Sequence, residues 1–431
     1  MSNKLIDSFI KVRSAASLLS ATSDNERKLA LKGMADAIMS AKAEIFAENA
    51  KDLEAAKANG TPDAVLHRLA FSEDKLSSVT KGIQELCQLQ DPIGRTREKR
   101  ELDPGFILEK RTFPIGVIGM IFEARPDALV QIASLALRSG NGIILKGGRE
   151  AANTNRKLVE VIQKATSGFS FGKDWILGIE SHEDVDALLK AEGYVDLLIP
   201  RGSNAFVRYV MDNTRIPVIG HADGLCTTYV DEYADLEKIL PACVDAKIQY
   251  PAACNATETF LVHEKIAETF LPMLDRALSD RNVMIHAEKA ILPLMPHAVE
   301  ATEQDFHTEY LALECAVRTV ASVQEAVEHI QSHGSHHTDA IMTQNKNNAD
   351  YFVSKVDSAD VFVNCSTRFA DGFRFGLGAE VGIATSKLHA RGPVGLDGLM
   401  TTKWILTGNG ETVAEYSGAN GKPFHHKELQ I

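Results

Sequence analysis

The sequence lacks the long apolar runs from which membrane spans are built. No stretch of about 18 consecutive apolar residues occurs in its 431 residues. Near the start, Lys4, Asp7, Lys11 and Arg13 interrupt the apolar positions that a secretory signal would keep together. We therefore expect no membrane partner and a cytoplasmic location.

Cysteine is scarce, and positive charge is in deficit. The six cysteines have neither paired nor metal-like spacing, which argues against a disulfide scaffold or a cysteine-based zinc site and fits a reducing compartment. The 58 acidic residues outnumber the 46 lysines and arginines, so the formal net charge is −12. This balance argues against a general nucleic-acid binder.

The composition is that of an ordinary globular protein, and the length predicts two or three domains. Residues 1–90 have helical periodicity, and residues 99–113 alternate around a Pro-Gly turn, which predicts a β-hairpin. From residue 115 short apolar runs alternate with helical stretches. This pattern predicts a parallel sheet with crossover helices, the usual seat of a nucleotide. A second alternating region extends from residue 227 to about 385, and residues 404–406 predict a strand that pairs elsewhere.

The individual elements of the first sheet can also be placed. The predicted strands are 116–121, 142–146, 175–177, 195–199 and 216–219. The predicted helices are 127–138, 151–166, 184–192 and 203–212.

Cys254 lies at the junction of two predicted elements. A helix over 236–249 precedes it, and a strand follows from about residue 257. A thiol held between rigid elements in small, polar surroundings suits a nucleophile that substrate must reach. The alternative is a small buried hydrophobic residue, which is our interpretation of Cys87, Cys226, Cys243, Cys315 and Cys365.

The run Lys146-Gly147-Gly148-Arg149 ends a predicted strand and opens a helix. Glycines allow close backbone approach, and a helix N-terminus with two cations favours an anion. The run fits an adenosine 2′-phosphate, hence NADP rather than NAD. It is neither of the two common phosphate-binding motifs, and a solvated basic turn is the alternative.

Arg125 precedes Pro126 at the carboxyl end of another strand, where ligands of parallel sheets bind. A fixed guanidinium there can hold a phosphate or a carboxylate. The alternative is a salt bridge to Glu123 or Asp127.

A polar, glycine-rich region over 364–393 contains Arg368 and Arg391, and it predicts either a wall of an anionic substrate's pocket or an ordinary surface loop. The nearby His333, His336 and His337 have no carboxylate at metal-like spacing. We interpret these three histidines as a solvated turn.

Together these stretches resemble the aldehyde dehydrogenase superfamily, and within it the γ-glutamyl phosphate reductase family. The matching segments cover nearly the whole chain. They are 114–119, 123–126, 198–202, 229–231, 254–256, 356–359, 364–369 and 388–393. The sequence departs from the family pattern at Asp127, Thr227 and Tyr250.

The resemblance implies an α/β fold with a Rossmann-type nucleotide-binding sheet, a catalytic α/β domain and a β-hairpin oligomerisation element. The implied NADP-binding domain is 1–98 with 114–222, the catalytic domain is 223–395, and the hairpin and tail are 99–113 with 396–431. The hairpin's unpaired edges favour a homo-oligomer, a dimer or a tetramer. A glutamate 5-kinase is a possible channelling partner.

The implied activity is the NADPH-dependent reduction of L-glutamyl 5-phosphate to L-glutamate 5-semialdehyde in proline biosynthesis. Cys254 would form a thioester, with Asn255 beside it, and oxyanion donors would be the Cys254 backbone N–H and Arg125.

Two sets of binding residues follow from the same resemblance. Glu309 would bind the nicotinamide ribose, unless it is a solvated carboxylate on a helix face. The substrate α-carboxylate would be held by Arg368 or Arg391, with Ser366 and Thr367 beside them.

Hydrolytic relatives activate water with a glutamate, and the corresponding segment here, 221–224, has none, although His221 could act as a base. Two alternatives remain open: a hydrolytic semialdehyde dehydrogenase, and a binding or scaffolding protein whose chemistry is lost.

Overall fold

The computed structural model describes residues 3–123, 125–220 and 223–431. Within these ranges no helix combines the length and the apolar character that a bilayer crossing needs.

The helices alternate with strands after residue 115, as the sequence predicts. The helices are α1 (Asn3–Ser20), α2 (Asp24–Ser40), α3 (Lys42–Ala58), α4 (Asp63–Leu69), α5 (Glu73–Gln88), α6 (Pro126–Ser139), α7 (Ala152–Thr166), α8 (His182–Leu189), α9 (Asn204–Asp212), α10 (Leu236–Ile248), α11 (Glu264–Ser279), α12 (Val323–His333) and α13 (Lys346–Lys355). The strands are β1 (Thr96–Asp103), β2 (Phe106–Pro114), β3 (Val117–Ile121), β4 (Gly142–Lys146), β5 (Ile176–Ile179), β6 (Leu197–Pro200), β7 (Cys226–Val230), β8 (Thr257–His263), β9 (Met284–Ala287), β10 (Val299–Glu300), β11 (Glu314–Val320), β12 (Thr338–Met342), β13 (Asp360–Val363), β14 (Ile383–Ala384), β15 (Gly392–Pro393), β16 (Met400–Thr407) and β17 (Lys427–Glu428).

The first sheet has the parallel order β5-β4-β3-β6. Its predicted strands are confirmed except for 216–219, which is wrong. That segment makes only an isolated bridge between Val218 and Leu198. Pro217 has no N–H to donate, so the ladder does not extend into a full strand.

The second sheet has the parallel order β10-β9-β11-β8-β7-β12-β13. Its central strand β8 is buried along its whole length. Helices α10 and α11 pack on the sheet through a core of apolar side chains such as Phe260, Phe270 and Leu274. The second α/β unit predicted from the sequence is therefore confirmed.

The predicted hairpin is β1–β2, and its turn contains Gly105 at φ 80°. The tail supplies β16 against β2 and β17 against β1, so the tail strand predicted at residues 404–406 is confirmed. Both edges of the hairpin are thus paired within the chain, contrary to our expectation. Among the described residues the outer strands of this sheet are β16 and the short β17, and β16 exposes Trp404 and Leu406.

The apolar core beneath the first sheet combines α2, α5, α6 and α7 with a late segment of the chain. Val381, Ala390, Val394 and Leu399 of that segment are buried in it. The chain therefore returns to the first unit after completing the second sheet. The predicted domain limits stay a prediction.

Candidate active site

Cys254 lies in a tight turn between α10 and β8. The Ala253 N–H donates to the Tyr250 carbonyl at 3.1 Å, and the Ala256 N–H donates to the Ala253 carbonyl at 2.9 Å. All six cysteines are free thiols, and Cys254 is half-buried. Such a turn fixes Cys254 at a position that is only partly buried.

A buried ion pair fixes the elements on either side of this turn. Lys247 near the end of α10 donates to Glu258 in β8 at 2.5 Å, and both side chains are fully buried. Burial raises the pKa of the Glu258 carboxyl to about 7, although Lys247 acts against that change. Because a buried ion pair is weak evidence for net stability, we expect this pair to act mainly by holding the turn in place.

The Cys254 thiol has an unusual electrostatic environment. Burial alone would raise its pKa, but the charge of His337, a hydrogen bond with His337 and the charge of Arg201 together lower the pKa below its usual value. In contrast, burial raises the pKa of the Cys243 and Cys315 thiols to about 12. Among these thiols Cys254 is the one poised to ionise and to act as a nucleophile.

His337 is the functional residue that our sequence interpretation missed, and its assignment to a solvated turn is wrong. The side chain is completely buried at the start of β12. Its Nδ1 lies 2.9 Å from Thr338 Oγ1 and 3.7 Å from the Sγ of Cys226. Cys226 in turn donates from Sγ to the Cys254 carbonyl at 3.2 Å. His337 and Cys226 therefore both contact the nucleophile's surroundings.

One edge of the second sheet explains this convergence. Strands β8, β7 and β12 are parallel neighbours, so their amino ends meet at the same edge. Cys254 precedes β8, Cys226 begins β7, and His337 precedes β12. The order of the strands was the signal that could have found His337, but the order is not visible in the sequence.

Glu309 approaches the thiol from a separate extended segment. A Cβ added to Gly224 would lie 2.2 Å from the Cys254 carbonyl oxygen and 2.6 Å from Glu309 Oε1. Glycine is thus required where the two groups meet. Glu309 Oε2 also accepts from Asn204 Nδ2 at 3.0 Å. The alternative of a solvated carboxylate on a helix face is wrong, because Glu309 is half-buried and outside any helix.

Arg201 follows directly after β6, at the carboxyl edge of the first sheet. Its Nη1 donates to the Val381 carbonyl at 2.7 Å, and its charge acts on Cys254. The carboxyl edge of the first sheet therefore faces the amino edge of the second. Arg201 belongs to a matching segment named above, but we gave it no role from sequence.

Arg368 is the predicted substrate residue that the structure brings to the thiol. Its guanidinium lies 5.9 Å from the Tyr250 ring centroid, and its Nε donates to Gln249 Oε1 at 2.9 Å. Burial lowers its pKa, and the charge of Cys254 acts in the opposite direction. Tyr250, one of the departures from the family pattern, thus forms a platform for Arg368.

Ser366 and Thr367 support this arginine through structural contacts. The Ser366 Oγ accepts from the Arg368 N–H at 3.3 Å, and Thr367 Oγ1 lies 3.2 Å from the hydroxyl of Thr257. Asn255 donates from Nδ2 to the Ala370 carbonyl at 2.6 Å, which ties the same loop to the nucleophile turn. These three side chains are buried, and their predicted direct roles stay predictions.

Two predicted arginines are held by aspartates. Arg391 donates to Asp357 Oδ1 at 3.1 Å, at the turn after α13. Arg125 donates to Asp127 Oδ2 at 2.9 Å with about half of its side chain exposed, so the salt bridge that we weighed as an alternative does form. The oxyanion role of Arg125 and the carboxylate role of Arg391 stay predictions. His221 and Ala222 lie outside the described residues.

A pocket of about 450 Å³ lies beside the run that was predicted to bind the cofactor. Gly147, Gly148 and Arg149 line it together with α7 and β5. A Cβ on Gly147 would lie 2.0 Å from Asn155 Nδ2, so glycine keeps this loop close to the helix. Lys146 is buried at the end of β4, and burial lowers the pKa of its ammonium group. Glu309 lies with Cys254 instead of in this pocket.

The comparisons with known proteins agree with this geometry. The model of the aldehyde dehydrogenase family matches residues 4–299. The chain belongs to this family. Among its relatives, the γ-glutamyl phosphate reductase of Nostoc punctiforme is 49% identical over 97% of this chain and 96% of its own length. That of Synechococcus elongatus is 51% identical over 96% of each chain.

Solved structures are similar to this aldehyde dehydrogenase family member over nearly its whole length. The γ-glutamyl phosphate reductase of Thermotoga maritima has a TM-score of 0.93 at 38% identity, over 95% of this chain and 100% of its own. An acetylating aldehyde dehydrogenase of Geobacillus thermoglucosidasius shares the fold, with a TM-score of 0.66 at 16% identity, over 95% of this chain and 97% of its own. The predicted α/β fold and the predicted family are therefore confirmed.

Proposed function

We propose that the chain reduces L-glutamyl 5-phosphate to L-glutamate 5-semialdehyde and phosphate, in proline biosynthesis, through a thioester on Cys254. The observation that carries this proposal is a half-buried cysteine whose pKa is lowered by a hydrogen bond with His337 and by the charges of His337 and Arg201. The names of the full-length relatives supply the substrate.

The first chemical step is acyl transfer to sulfur. The Cys254 thiolate attacks the γ-carbonyl carbon, and phosphate departs with the bonding electron pair of the C–O bond. The backbone N–H of Cys254 is our candidate oxyanion donor. Arg201 suits the leaving phosphate, because this residue is exposed and its charge acts on the thiol.

The second step releases the aldehyde. NADPH, when bound, supplies a hydride to the thioester carbon. The resulting thiohemiacetal oxyanion collapses, its carbonyl re-forms, and the electron pair of the C–S bond returns to Cys254 as the thiolate. His337 can hold a proton next to the returning thiolate and so balance its negative charge, because His337 hydrogen-bonds with the thiol.

The pocket beside Gly147 fits the adenosine portion of a nicotinamide cofactor. It is formed at the carboxyl end of a parallel sheet and contains the guanidinium of Arg149. Arg149, with Lys146 behind it, supports NADP over NAD because the extra 2′-phosphate needs a cation. Glu309 is our candidate for the nicotinamide ribose, since it lies near the thiol.

We further assign the substrate α-carboxylate to Arg368. Its charge acts on the nucleophile, while Arg391 is bound to Asp357. We also propose a cytoplasmic homo-oligomer, assembled through the sheet of 99–113 and 396–431, because β16 is an outer strand of that sheet in the described part of the chain and exposes Trp404. Channelling from a glutamate 5-kinase remains part of the proposal.

The phosphate requirement of the reverse reaction tests this function. Purified protein would be given glutamate semialdehyde and NADP⁺, with and without phosphate, while NADPH formation is followed by absorbance. The proposal predicts sustained NADPH formation only with phosphate. Sustained formation without phosphate would instead identify a hydrolytic dehydrogenase, and none under either condition would favour a binding protein.

A further inference from the structure

A second cluster of ligand-type side chains lies outside the active site. Glu303 and His307 begin and end a short 3₁₀ helix, and His333 is the last residue of α12. Glu303 Oε1 lies 3.0 Å from His333 Nε2 and 4.0 Å from His307 Nε2. One ligand atom from each of the three side chains lies within 4.8 Å of the other two.

The donor set is that of a transition-metal site. Two imidazole nitrogens and one carboxylate oxygen are common ligands of Zn²⁺, at about 2.0–2.2 Å each. Ligands at that distance are separated from one another by roughly 3–4 Å, so rotation of the exposed His307 ring out of its stack on His333 would complete the geometry. Glu303 and His307 are exposed, which leaves a path for the ion and room for water ligands.

The ring of His333 is already oriented for this task. Its Nδ1 lies 3.0 Å from the carbonyl oxygen of His329 and 2.8 Å from Ser332 Oγ. These contacts direct Nε2 toward Glu303, as outer-shell hydrogen bonds do for metal-bound histidines. The His307 ring stacks on His333 with centroids 4.4 Å apart.

A third histidine, His329, packs beneath this pair. Its ring stacks on His333 with centroids 4.0 Å apart, and only 7% of the residue is exposed. Within the part of the chain that the structure describes, its buried Nε2 has no hydrogen-bond partner.

We propose that Glu303, His307 and His333 bind a divalent transition-metal ion of the zinc class. The interpretation of His333 as part of a solvated turn failed because its carboxylate partner is 30 residues away in the sequence.

The position of the site gives such an ion a structural consequence. His307 lies two residues before Glu309, and His333 lies four residues before His337. A bound ion therefore ties together the two segments that carry these neighbours of Cys254. We expect the ion to stabilise the folded chain by binding it in preference to the unfolded state.

Titration of the full-length protein with Zn²⁺ by calorimetry, and with Co²⁺ by visible spectroscopy, tests the proposal. The Cys254→Ser background removes the accessible thiol as a competing ligand. We expect one ion per chain, an increase in melting temperature, and cobalt bands in the visible without the intense thiolate charge-transfer band. His307→Ala and His333→Ala should each weaken binding by at least about tenfold.

Two matched variants complete the experiment. Glu303→Gln keeps the shape of the side chain but should weaken binding, whereas His336→Ala removes an exposed neighbouring histidine outside the cluster and should leave binding unchanged. Equal binding by the parent and by the His307→Ala/His333→Ala double variant would overturn the proposal. A thiolate charge-transfer band that persists in that double variant would also overturn it.

Discussion

The two sides of the proposed active site are built in different ways. The cofactor side uses the carboxyl end of one strand, and its residues Lys146 to Arg149 are consecutive in the chain. The thiol side uses the amino ends of three strands, where Cys254 meets His337, with Glu309 and Arg201 contributed by other segments. The local geometry of a run of consecutive residues depends mainly on that run. The lowered pKa of the thiol, in contrast, depends on contacts that form only in the folded chain.

The same difference appears in the electrostatics. At Lys146 burial disfavours the charged ammonium form and so lowers the pKa of the side chain. At Cys254 burial is outweighed by His337 and Arg201, so the net effect favours the charged thiolate. The comparison predicts that changes on the cofactor side alter one ligand's affinity, while changes on the thiol side alter reactivity.

The largest expected effect is at the thiol itself. Cys254→Ala should lower reductase activity by at least about 10³-fold, because no other group can carry the acyl chain. NADPH binding, measured by fluorescence titration, should remain because the cofactor pocket is separate. Near-normal turnover in this variant would mean that reactivity does not depend on the thiol side of the site.

On the cofactor side, Lys146→Ala combined with Arg149→Ala should weaken NADPH by about 100-fold and NADH much less, because two cations are lost from the 2′-phosphate. Dissociation constants for both cofactors provide the measurement. Arg156→Ala is the matched control, because Arg156 lines the same pocket but pairs with Glu180 at 2.7 Å. Equal weakening of both cofactors by the double variant would mean that the 2′-phosphate is bound elsewhere.

Substrate affinity distinguishes the two candidate arginines. Arg368→Ala should raise KM for glutamate semialdehyde by about 30-fold, because a charge-assisted contact to the α-carboxylate is lost. Arg391→Ala should change KM less, since Arg391 is held by Asp357. The opposite ranking of the two KM values would transfer the carboxylate site to Arg391.

The smallest expected effect concerns how the thiol is activated. His337→Gln should raise the pKa of Cys254 and slow its alkylation by iodoacetamide at neutral pH by about tenfold, which corresponds to a shift of about one pH unit. The rate should fall as pH decreases through the thiol's pKa, and the variant's profile should lie at higher pH. His336→Ala serves as the control, because His336 is exposed and bonds to the Asp357 carbonyl. Unchanged profiles in His337→Gln would assign the lowered pKa to Arg201 alone.

Much of the fold could be predicted because it depends on local patterns. Apolar runs gave the strands of the first sheet, and β16 was recognisable as a strand that pairs elsewhere. The segment 216–219 misled because its apolar residues resemble a strand while Pro217 prevents the ladder. The pairing of both hairpin edges by tail strands is a long-range event that neither segment encodes alone.

The active-site residues also divide into those that local sequence patterns reveal and those that depend on long-range contacts. Cys254 and the Gly147–Arg149 loop were found because each sits at a junction that local periodicity reveals. His337 and Arg201 were not given roles, because their proximity to Cys254 depends on strand order and on two sheet edges facing each other. The cluster of Glu303 with His333 was missed for the same physical reason, since contact between distant segments leaves no spacing signal.

The central claim is that the sulfur of Cys254 carries the glutamyl group. The direct measurement is peptide mapping by mass spectrometry after incubation with glutamate semialdehyde and NADP⁺ without phosphate, quenched in acid to preserve the thioester. We predict one glutamyl adduct on the peptide that contains Cys254, and its discharge when phosphate is added before the quench. An unmodified Cys254 in protein that still turns over with phosphate, or an adduct on a different residue, would contradict the account.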